Sequence, residues 1–329
     1  MNRATFLDEL ALQRPVVQAG MAGGVDRGEL AGAVSAAGGL GTVGMMGVSA
    51  FAQALADARR RAGARPVAAN LLVPFIRRGH VERAADDAAL TVLHGGISRR
   101  WTSALRQRGA RVLITVGTRE QAIRAIAAGA NGLVVQGIEA GGHLVGTEPV
   151  TSALPRILEV AGELPVLAAG GVAEAADVRR LLDLGAVAAI AGTRFLLTEE
   201  SAAHPQYKRR VMGSQQTLAT QLFGLGWPLL HRVVPNQATE RWCARSELGP
   251  VYARLLARAS APIGRLAPLE AMGSLAAWQR PALPLFSPAL PLAGMPDSAV
   301  ERTALYAGET ARRLQDIIPA EEAVLRLTP

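Results

Sequence analysis

Short apolar runs alternate with helix-like segments over the first two hundred residues, and this alternation restricts the chain to few architectures. Runs rich in Val, Leu, Ile and Ala recur at Pro15–Gly20, Leu40–Met45, Pro66–Val73, Ala89–His94, Arg111–Gly117, Gly132–Gly137, Pro165–Gly170 and Val187–Gly192. Nearly continuous apolar strands are typical of a parallel sheet that helices cover. Eight βα units therefore predict an α/β protein of the (β/α)₈ or TIM-barrel type rather than an open sheet.

The segments between these runs have helical spacing of their apolar residues. We predict helices at Asp26–Ala37, Ala50–Arg61, Ser98–Gln107, Thr118–Ala128, Thr151–Ala161 and Ala173–Leu184. Several are followed by a glycine, such as Gly129 or Gly185, that permits a left-handed helix end.

After Ser201 the alternation of apolar runs and helix-like segments stops, which predicts a second structural unit. Residues 203–299 are predicted to form a helical insertion that covers the barrel as a lid or substrate domain. Ala299–Ile317 has the spacing of a last barrel helix, so the barrel domain would comprise residues 1–202 and 300–329. The apolar, proline-rich stretch Pro281–Pro296 is predicted to be an irregular connection that could serve as a homodimer interface.

Residue counts exclude several kinds of chemistry. Lys208 is the only lysine, so Schiff-base catalysis would depend on it alone. Cys243 is the only cysteine, which excludes an intrachain disulfide and a thiolate metal cluster, and the histidine spacing fits no metal site. We predict no metal.

Charge and hydropathy predict no nucleic-acid or membrane partner. The 35 Lys+Arg exceed the 27 Asp+Glu to give a net charge of +8, but the arginines are scattered and no aromatic residues are interleaved with them. The first ten residues do not resemble a signal peptide, and no apolar stretch approaches the roughly 20 residues of a membrane helix. A cytoplasmic location is the expectation.

Gly39, Gly41 and Gly44 match the spacing of a dinucleotide-binding fingerprint. They lie within a predicted strand that follows a helix, whereas the fingerprint requires a strand before it and a helix after it. We interpret these glycines as sites of close backbone packing.

The ends of the last two predicted barrel strands carry glycine turns. Gly170-Gly171 follows the seventh run, and Gly192-Thr193 follows the eighth. In TIM barrels the loops after these strands frequently bind a phosphate through backbone amides. The sequence thus favours a phosphate site, although tight turns alone would explain the same glycines.

Two histidines occur at predicted strand ends. Gln136 begins a glycine-rich loop that ends at His143, and His94 ends the fourth run. His143 at the active-site face could act as a general base or donate a hydrogen bond to a developing anion, and His94 is a second candidate. His80, His204 and His231 lie in helical or insertion segments, for which we predict capping or solvent-exposed roles.

Six segments together resemble one family of enzymes. They are the opening Pro15–Gly24, the loop Glu139–His143, the turn Ala168–Val172, Gly192–Phe195, the stretch from Thr198 through Lys208, and Tyr306–Glu309. In this order they resemble the nitronate monooxygenase family, also called 2-nitropropane dioxygenases. The resemblance implies an FMN-dependent (β/α)₈ enzyme with a helical second domain.

The resemblance also implies roles for single residues. His143 would be the catalytic histidine. Residues that would contact FMN are Ala19, Gly20 and Met21 beside the ring, Asn70, Gln136, Gly141, and Gly170, Gly171, Gly192 and Thr193 at the phosphate. Two departures concern the rim of the site: Gly20 stands where the family often has proline, and Gly146 follows His143 by three positions instead of two.

The implied function is oxidation of an alkyl nitronate, or a related small anion, by O₂ to a carbonyl compound and nitrite. An alternative is an FMN-dependent enoyl-thioester reductase that uses NAD(P)H, because that group shares the barrel and the Gly-Gly-His loop. A third is a flavin-free barrel that acts as a binding or scaffold protein.

Overall fold

The computed structural model describes residues 4–267 and 276–329, and its centre is a sheet of eight parallel strands. The strands of the chain are β1 Val16–Gln18, β2 Gly41–Gly44, β3 Val67–Leu72, β4 Leu90–His94, β5 Val112–Val116, β6 Gly132–Gln136, β7 Gly142–His143, β8 Val166–Ala169, β9 Ala188–Ala191, β10 Leu218–Thr220 and β11 His231–Val233. All eight predicted strands are confirmed, with bounds shifted by a few residues.

The sheet closes on itself to form a barrel. Its strand order is β1-β9-β8-β6-β5-β4-β3-β2. The Gln18 N–H donates to the Leu40 carbonyl, and the Leu40 N–H donates to the Val16 carbonyl, both at 2.9 Å. Since these bonds join the β1 strand to the chain entering β2, the first and last positions of the strand order are neighbours. The predicted (β/α)₈ fold is therefore confirmed.

The helices of the chain include those that follow the barrel strands and cover the outside of the barrel, one at its end and three within residues 203–299. They are α1 Phe6–Glu9, α2 Glu29–Ala36, α3 Val48–Ala62, α4 Arg78–Asp87, α5 Arg99–Arg106, α6 Arg119–Ala127, α7 Val150–Ala161, α8 Ala175–Asp183, α9 Thr193–Leu196, α10 Pro205–Val211, α11 Gln237–Trp242, α12 Val251–Leu266 and α13 Ala320–Leu327. Ser98 and Thr118 cap two of them, because their side chains accept from the N–H groups of Trp101 and Gln121.

Small aliphatic side chains fill the interior of the barrel. Leu90, Leu113 and Leu167 point inward from their strands and are fully or almost fully buried. Phe6 and Leu10, at and just after α1, belong to the same cluster and close one end of it. Gly41 lies so close to the Ala31 backbone of α2 that a Cβ could not fit, which confirms close packing at the Gly39–Gly44 motif.

The predicted last helix at Ala299–Ile317 is wrong. The structure has two 3₁₀ turns there, Asp297–Glu301 and Glu309–Arg313, and the last barrel helix is α13. Between the turns the chain is extended: Val234 N–H donates to the Leu305 carbonyl at 2.8 Å, and Tyr306 pairs with Val233. The apolar residues of this segment have helical spacing, but they are buried because the extended chain passes across the face of the barrel.

Residues 203–299 contain helices α10, α11 and α12, but they also supply two strands that the sequence did not predict. Strands β10 and β11 pair antiparallel, and β11 pairs with β7 on the loop after β6. This small sheet joins residues 203–299 to the active-site face of the barrel.

Candidate functional site

A cavity of about 500 Å³ opens at the carboxyl ends of the barrel strands, a volume typical of small-molecule sites. All of the residues predicted to bind a cofactor or to catalyse line this one cavity: Ala19, Gly20, Met21, Asn70, Gln136, Gly141, His143, Gly170, Gly171, Gly192 and Thr193. Motifs from five different loops thus meet around one space.

The two glycine turns lie side by side because β8 and β9 are paired, with Ala169 opposite Ile190. Gly170 and Gly171 have φ of +129° and +71°, values that favour glycine. The Thr193 hydroxyl accepts a hydrogen bond from the Gly308 N–H at 2.9 Å, so its own proton is available to a ligand. Backbone amides and one hydroxyl can therefore meet an anion here.

The charged groups beside the Gly170-Gly171 turn are largely paired with one another. Arg313 donates to the Gly171 carbonyl at 3.0 Å and contacts the Asp177 carboxylate at 2.6 Å. The Glu139 carboxylate lies against Gly170 and accepts from the Val150 N–H at 3.1 Å. An anion bound at the Gly170-Gly171 turn would therefore be held by backbone amides more than by these paired charged side chains.

Asn70 at the end of the third strand has a carbonyl oxygen without a partner. The side chain is 8% exposed, and its Oδ1 is buried with no hydrogen bond within the described part of the chain. A buried acceptor of this kind costs free energy unless a ligand satisfies it. Gly20 lies directly against Asn70, since a Cβ on Gly20 would collide with the Asn70 Cβ.

Gln136 holds the loop that carries His143. Its Nε2 donates to the His143 carbonyl at 3.1 Å, and its Oε1 accepts from the Val145 N–H at 2.8 Å. His94 Nε2 lies 3.1 Å from the same His143 carbonyl. Two side chains at strand ends therefore fix the backbone of His143 in place.

The His143 side chain is half-buried at the cavity, and its pKa is lowered. Burial, helped by the neighbouring His231 and His94, lowers its pKa well below the ordinary value of 6.5. Burial likewise lowers the pKa of His94 and of His231 to about 4. His143 lines the cavity, and its Nε2 is a buried nitrogen without a hydrogen-bond partner among the described residues.

The predicted roles of the other histidines are partly wrong. His80 and His204 cap the starts of α4 and α10, as predicted. His231 is instead fully buried beside His143, with 5.3 Å between the ring centroids. It reaches this place through the pairing of β11 with β7, for which the sequence gives no periodic signal.

The sequence predicted that residues 203–299 cover the barrel, but it did not identify which of their side chains line the cavity. The Trp227 ring stacks on His143 with 3.7 Å between centroids. Residues 288–295, which we call the strap, line the cavity with Pro288, Ala289, Leu290, Leu292 and Met295. These residues have no recognisable motif, and only their folded position reveals them. Tyr306, whose position the spacing left open, also lines the cavity.

Other chemistries find no support in the described residues. Lys208 donates to the Thr198 carbonyl at 2.5 Å and does not line the cavity. Within residues 4–267 and 276–329, no three His, Cys, Asp or Glu side chains are grouped closely enough to hold a metal ion. A search of the same residues finds no helix that is both long and apolar enough to cross a membrane.

Comparison with known proteins identifies the family. The family model described as "Nitronate monooxygenase" matches residues 4–93 and 78–329. The chain belongs to the nitronate monooxygenase family. It is an oxidoreductase, which excludes the scaffold interpretation, and the family implies a flavin cofactor.

Two curated relatives and one solved structure illustrate the range of this family. A nitronate monooxygenase of Pseudomonas aeruginosa is 35% identical over 63% of this chain and 73% of its own. A (3aS,4S,5R,7aS)-5-hydroxy-7a-methyl-1-oxo-octahydro-1H-indene-4-carboxyl-CoA dehydrogenase of Mycobacterium tuberculosis is 30% identical over 98% and 95%. The nitroalkane oxidase of Streptomyces ansochromogenes superposes with a TM-score of 0.75 at 28% identity, over 98% and 96%.

Proposed function

We propose that the protein is an FMN-dependent nitronate monooxygenase that oxidises alkyl nitronates with O₂ to a carbonyl compound and nitrite. The observation that carries the proposal is the position of His143, whose ring has an unpartnered Nε2 and a lowered pKa, in the same cavity that the predicted cofactor residues line. A nitronate is an anion already, so its oxidation needs no strong base to begin.

The residues of the cavity fit FMN. The unpartnered Asn70 oxygen can accept a hydrogen bond from the cofactor, and the Gly170-Gly171 and Gly192-Thr193 turns can hold its phosphate. Ala19, Met21 and Gly141 would flank the ring system. FMN supplies the redox chemistry, because a flavin accepts electrons from a substrate and returns them to O₂.

His143 would act on the substrate directly. A neutral imidazole can donate its N–H to the oxygens of the anionic nitro group, and its free nitrogen can accept the α-proton of a neutral nitroalkane. Gln136 and His94 would keep the His143 ring in position, because both side chains hold the backbone carbonyl of His143. Residues 203–299 would act as the substrate domain of a barrel formed by residues 1–202 and 300–329.

Replacement of His143 by Asn tests the proposal. We expect the variant to be yellow and to retain FMN, while its nitronate turnover falls by about 10²- to 10⁴-fold, the usual contribution of a positioned acid–base group. Steady-state nitrite release and the flavin absorption spectrum measure the two quantities. Nitronate turnover close to that of the wild type would contradict the role of His143.

A second candidate is an FMN-dependent enoyl-thioester reductase or a related acyl-CoA oxidoreductase. It is favoured by the Mycobacterium tuberculosis relative, which is named for a carboxyl-CoA substrate and aligns over 98% of this chain. Anaerobic mixing separates the two functions. Rapid loss of flavin absorption with NADPH, together with turnover of a crotonyl thioester, would favour the reductase, whereas loss with a nitronate alone favours the monooxygenase.

The homodimer predicted from Pro281–Pro296 stays a proposal. Leu283 and Leu285 of this connection are 57% and 45% exposed, and they are available to a second copy. Sedimentation velocity would test it.

A further inference from the structure

The His143 ring lies in an aromatic cage that other parts of the chain supply. Trp227 stacks on it at 3.7 Å with 18° between the ring planes. The rings of His231 and Tyr306 are each 5.3 Å away. All three residues follow position 203, so the barrel loop provides the imidazole while the later chain provides its surroundings.

Trp227 itself is held rigidly against the barrel. It is 6% exposed, and the edge of its ring meets Phe75, which follows β3, with 5.4 Å between centroids. Gly95, just after β4, leaves space for the indole, because a Cβ there would lie 2.7 Å from the Trp227 Cζ2. The backbone N–H of Trp227 also donates to the Gly224 carbonyl at 2.9 Å, which fixes the main chain at this residue. A side chain packed this tightly can impose an orientation on its neighbour.

We propose that Trp227 is a positioning residue, whose indole face holds the His143 imidazole in its reactive orientation and keeps water from one side of it. The inference rests on the proposed function, in which His143 acts on the substrate. It adds that residues 203–299 complete the catalytic site as well as cover it.

The stacked arrangement leaves His143 with few charged neighbours. His94, His231 and Tyr306 face it; His231 is fully buried, and the other two are half-buried. Glu139 on the same loop directs its carboxylate to the Val150 N–H. Burial is the largest cause of the low pKa of His143, so removal of the indole should admit water and raise that pKa toward 6.5.

Three variants test the inference. Trp227→Leu removes the aromatic face, Trp227→Phe retains one, and Trp101→Leu is the matched control, because Trp101 lies on the outer helix α5 beneath Arg100. The FMN-loaded proteins are labelled with ¹⁵N-histidine, and His143→Asn assigns the His143 signal by its disappearance. The imidazole signals are followed from pH 4.5 to 8, and the pH profile of kcat/KM for a nitronate is measured in parallel.

We expect the His143 signal of the wild type and of Trp101→Leu to titrate well below 6.5. In Trp227→Leu it should move toward 6.5, the acidic limb of kcat/KM should move up in pH with it, and kcat should fall about tenfold or more with little change in KM. Trp227→Phe should restore most of each property. A variant that had only lost stability would keep the wild-type pKa of the His143 signal and the wild-type pH of the acidic limb of kcat/KM.

An unchanged titration and an unchanged acidic limb in Trp227→Leu would overturn the inference. If that variant does not fold, Trp227→Met, which keeps more of the volume but has no aromatic face, decides it by the same titration. The histidine titration needs no substrate. A shift of the His143 signal in a protein that does not turn over nitronates would therefore reject the proposed function and retain the positioning role.

Discussion

At the scale of single residues, Gly20 sets how closely β1 and β3 approach at the active-site face. Replacement by Ala would bring a Cβ into collision with the Asn70 Cβ and within 2.8 Å of its Cγ. Because Asn70 would have to move, its free oxygen would leave the predicted cofactor position, and we expect FMN affinity to fall at least about tenfold, the cost of roughly one lost hydrogen bond. Fluorescence of released flavin on dilution measures the dissociation constant.

Gly63→Ala is the control for this variant, since Gly63 ends α3 and has open space around its Cβ position. It should lose some stability because of its φ of +63°, but it should keep its affinity for FMN. If Gly20→Ala binds FMN as tightly as the wild type, the contact between Gly20 and Asn70 has no part in cofactor binding.

The residues of the cavity differ in how well the sequence predicts their position. Gly170, Gly192 and His143 follow predicted strands, and strand ends of a barrel meet at one face, so their convergence could be predicted. Trp227 and His231 could not, because they reach the site through three-residue strands and an irregular turn. The use of the Gln136 amide to hold the His143 loop also depends on a backbone path that no motif encodes.

At the scale of elements, the barrel strands of three to six residues were predictable, whereas the backbone of the segment Ala299–Ile317 was not. Helical spacing there reflects burial along an extended path, since Ala304 and Leu305 are fully buried without forming a helix. The spacing of apolar residues indicates which residues are buried. It indicates the backbone conformation only where those residues are buried as one face of a regular helix or strand.

The strap is an element whose side chains line the cavity, and hydrogen bonds hold it near both ends. Ala293 N–H donates to the Ala202 carbonyl at 2.9 Å, and Tyr306 donates to the Pro288 carbonyl at 3.0 Å. Leu290 lies against Gly23, and Leu292 lies against Gly24 of the loop after β1. The strap and this loop thus form two apolar walls that can select substrates by size.

We predict that Leu290→Ala changes substrate preference. The shorter side chain widens the apolar wall, and changes of a few methylene groups in such pockets alter selectivity by about 10- to 200-fold. The ratio of kcat/KM for a branched or long-chain nitronate to that for ethyl nitronate should rise about tenfold. Leu283→Ala, on the exposed part of the same connection, should leave this ratio unchanged. If the two variants have similar ratios of kcat/KM, the strap does not determine substrate preference.

At the scale of the whole molecule, residues 203–299 are inserted between two points that are fixed to each other. Thr198 pairs with Ile318, and the Glu200 carboxylate accepts from the Ala320 N–H at the start of α13. Arg194, with a side chain 3% exposed, donates to the Asp316 carboxylate at 2.6 Å and to the Asp316 carbonyl at 2.8 Å. The returning chain is therefore locked to the end of the eighth barrel strand.

The Asp316 carboxyl, which accepts from Arg194, has a lowered pKa. Hydrogen bonds from Arg194 first, and then from Arg326, hold its pKa below the ordinary value of 3.8. A lowered pKa in the folded state means that the carboxylate stabilises the fold above pH 3.8, and that this contribution is lost as the pH falls through the folded-state pKa. Asp316→Asn should lower the free energy of unfolding at pH 7 by about 1 kcal/mol, a modest value because the side chain is partly exposed.

The pH dependence distinguishes this ion pair from a simple packing effect. Urea unfolding of the wild type and of Asp316→Asn at pH 7, 5, 4 and 3 should give a constant difference down to pH 5 that shrinks below pH 4. Glu163→Gln is the control, an exposed carboxylate far along the chain from this lock, and it should show no difference at any of these values. A difference for Asp316→Asn that persists unchanged at pH 3 would assign the loss to packing, because a protonated carboxyl and an amide carry the same charge.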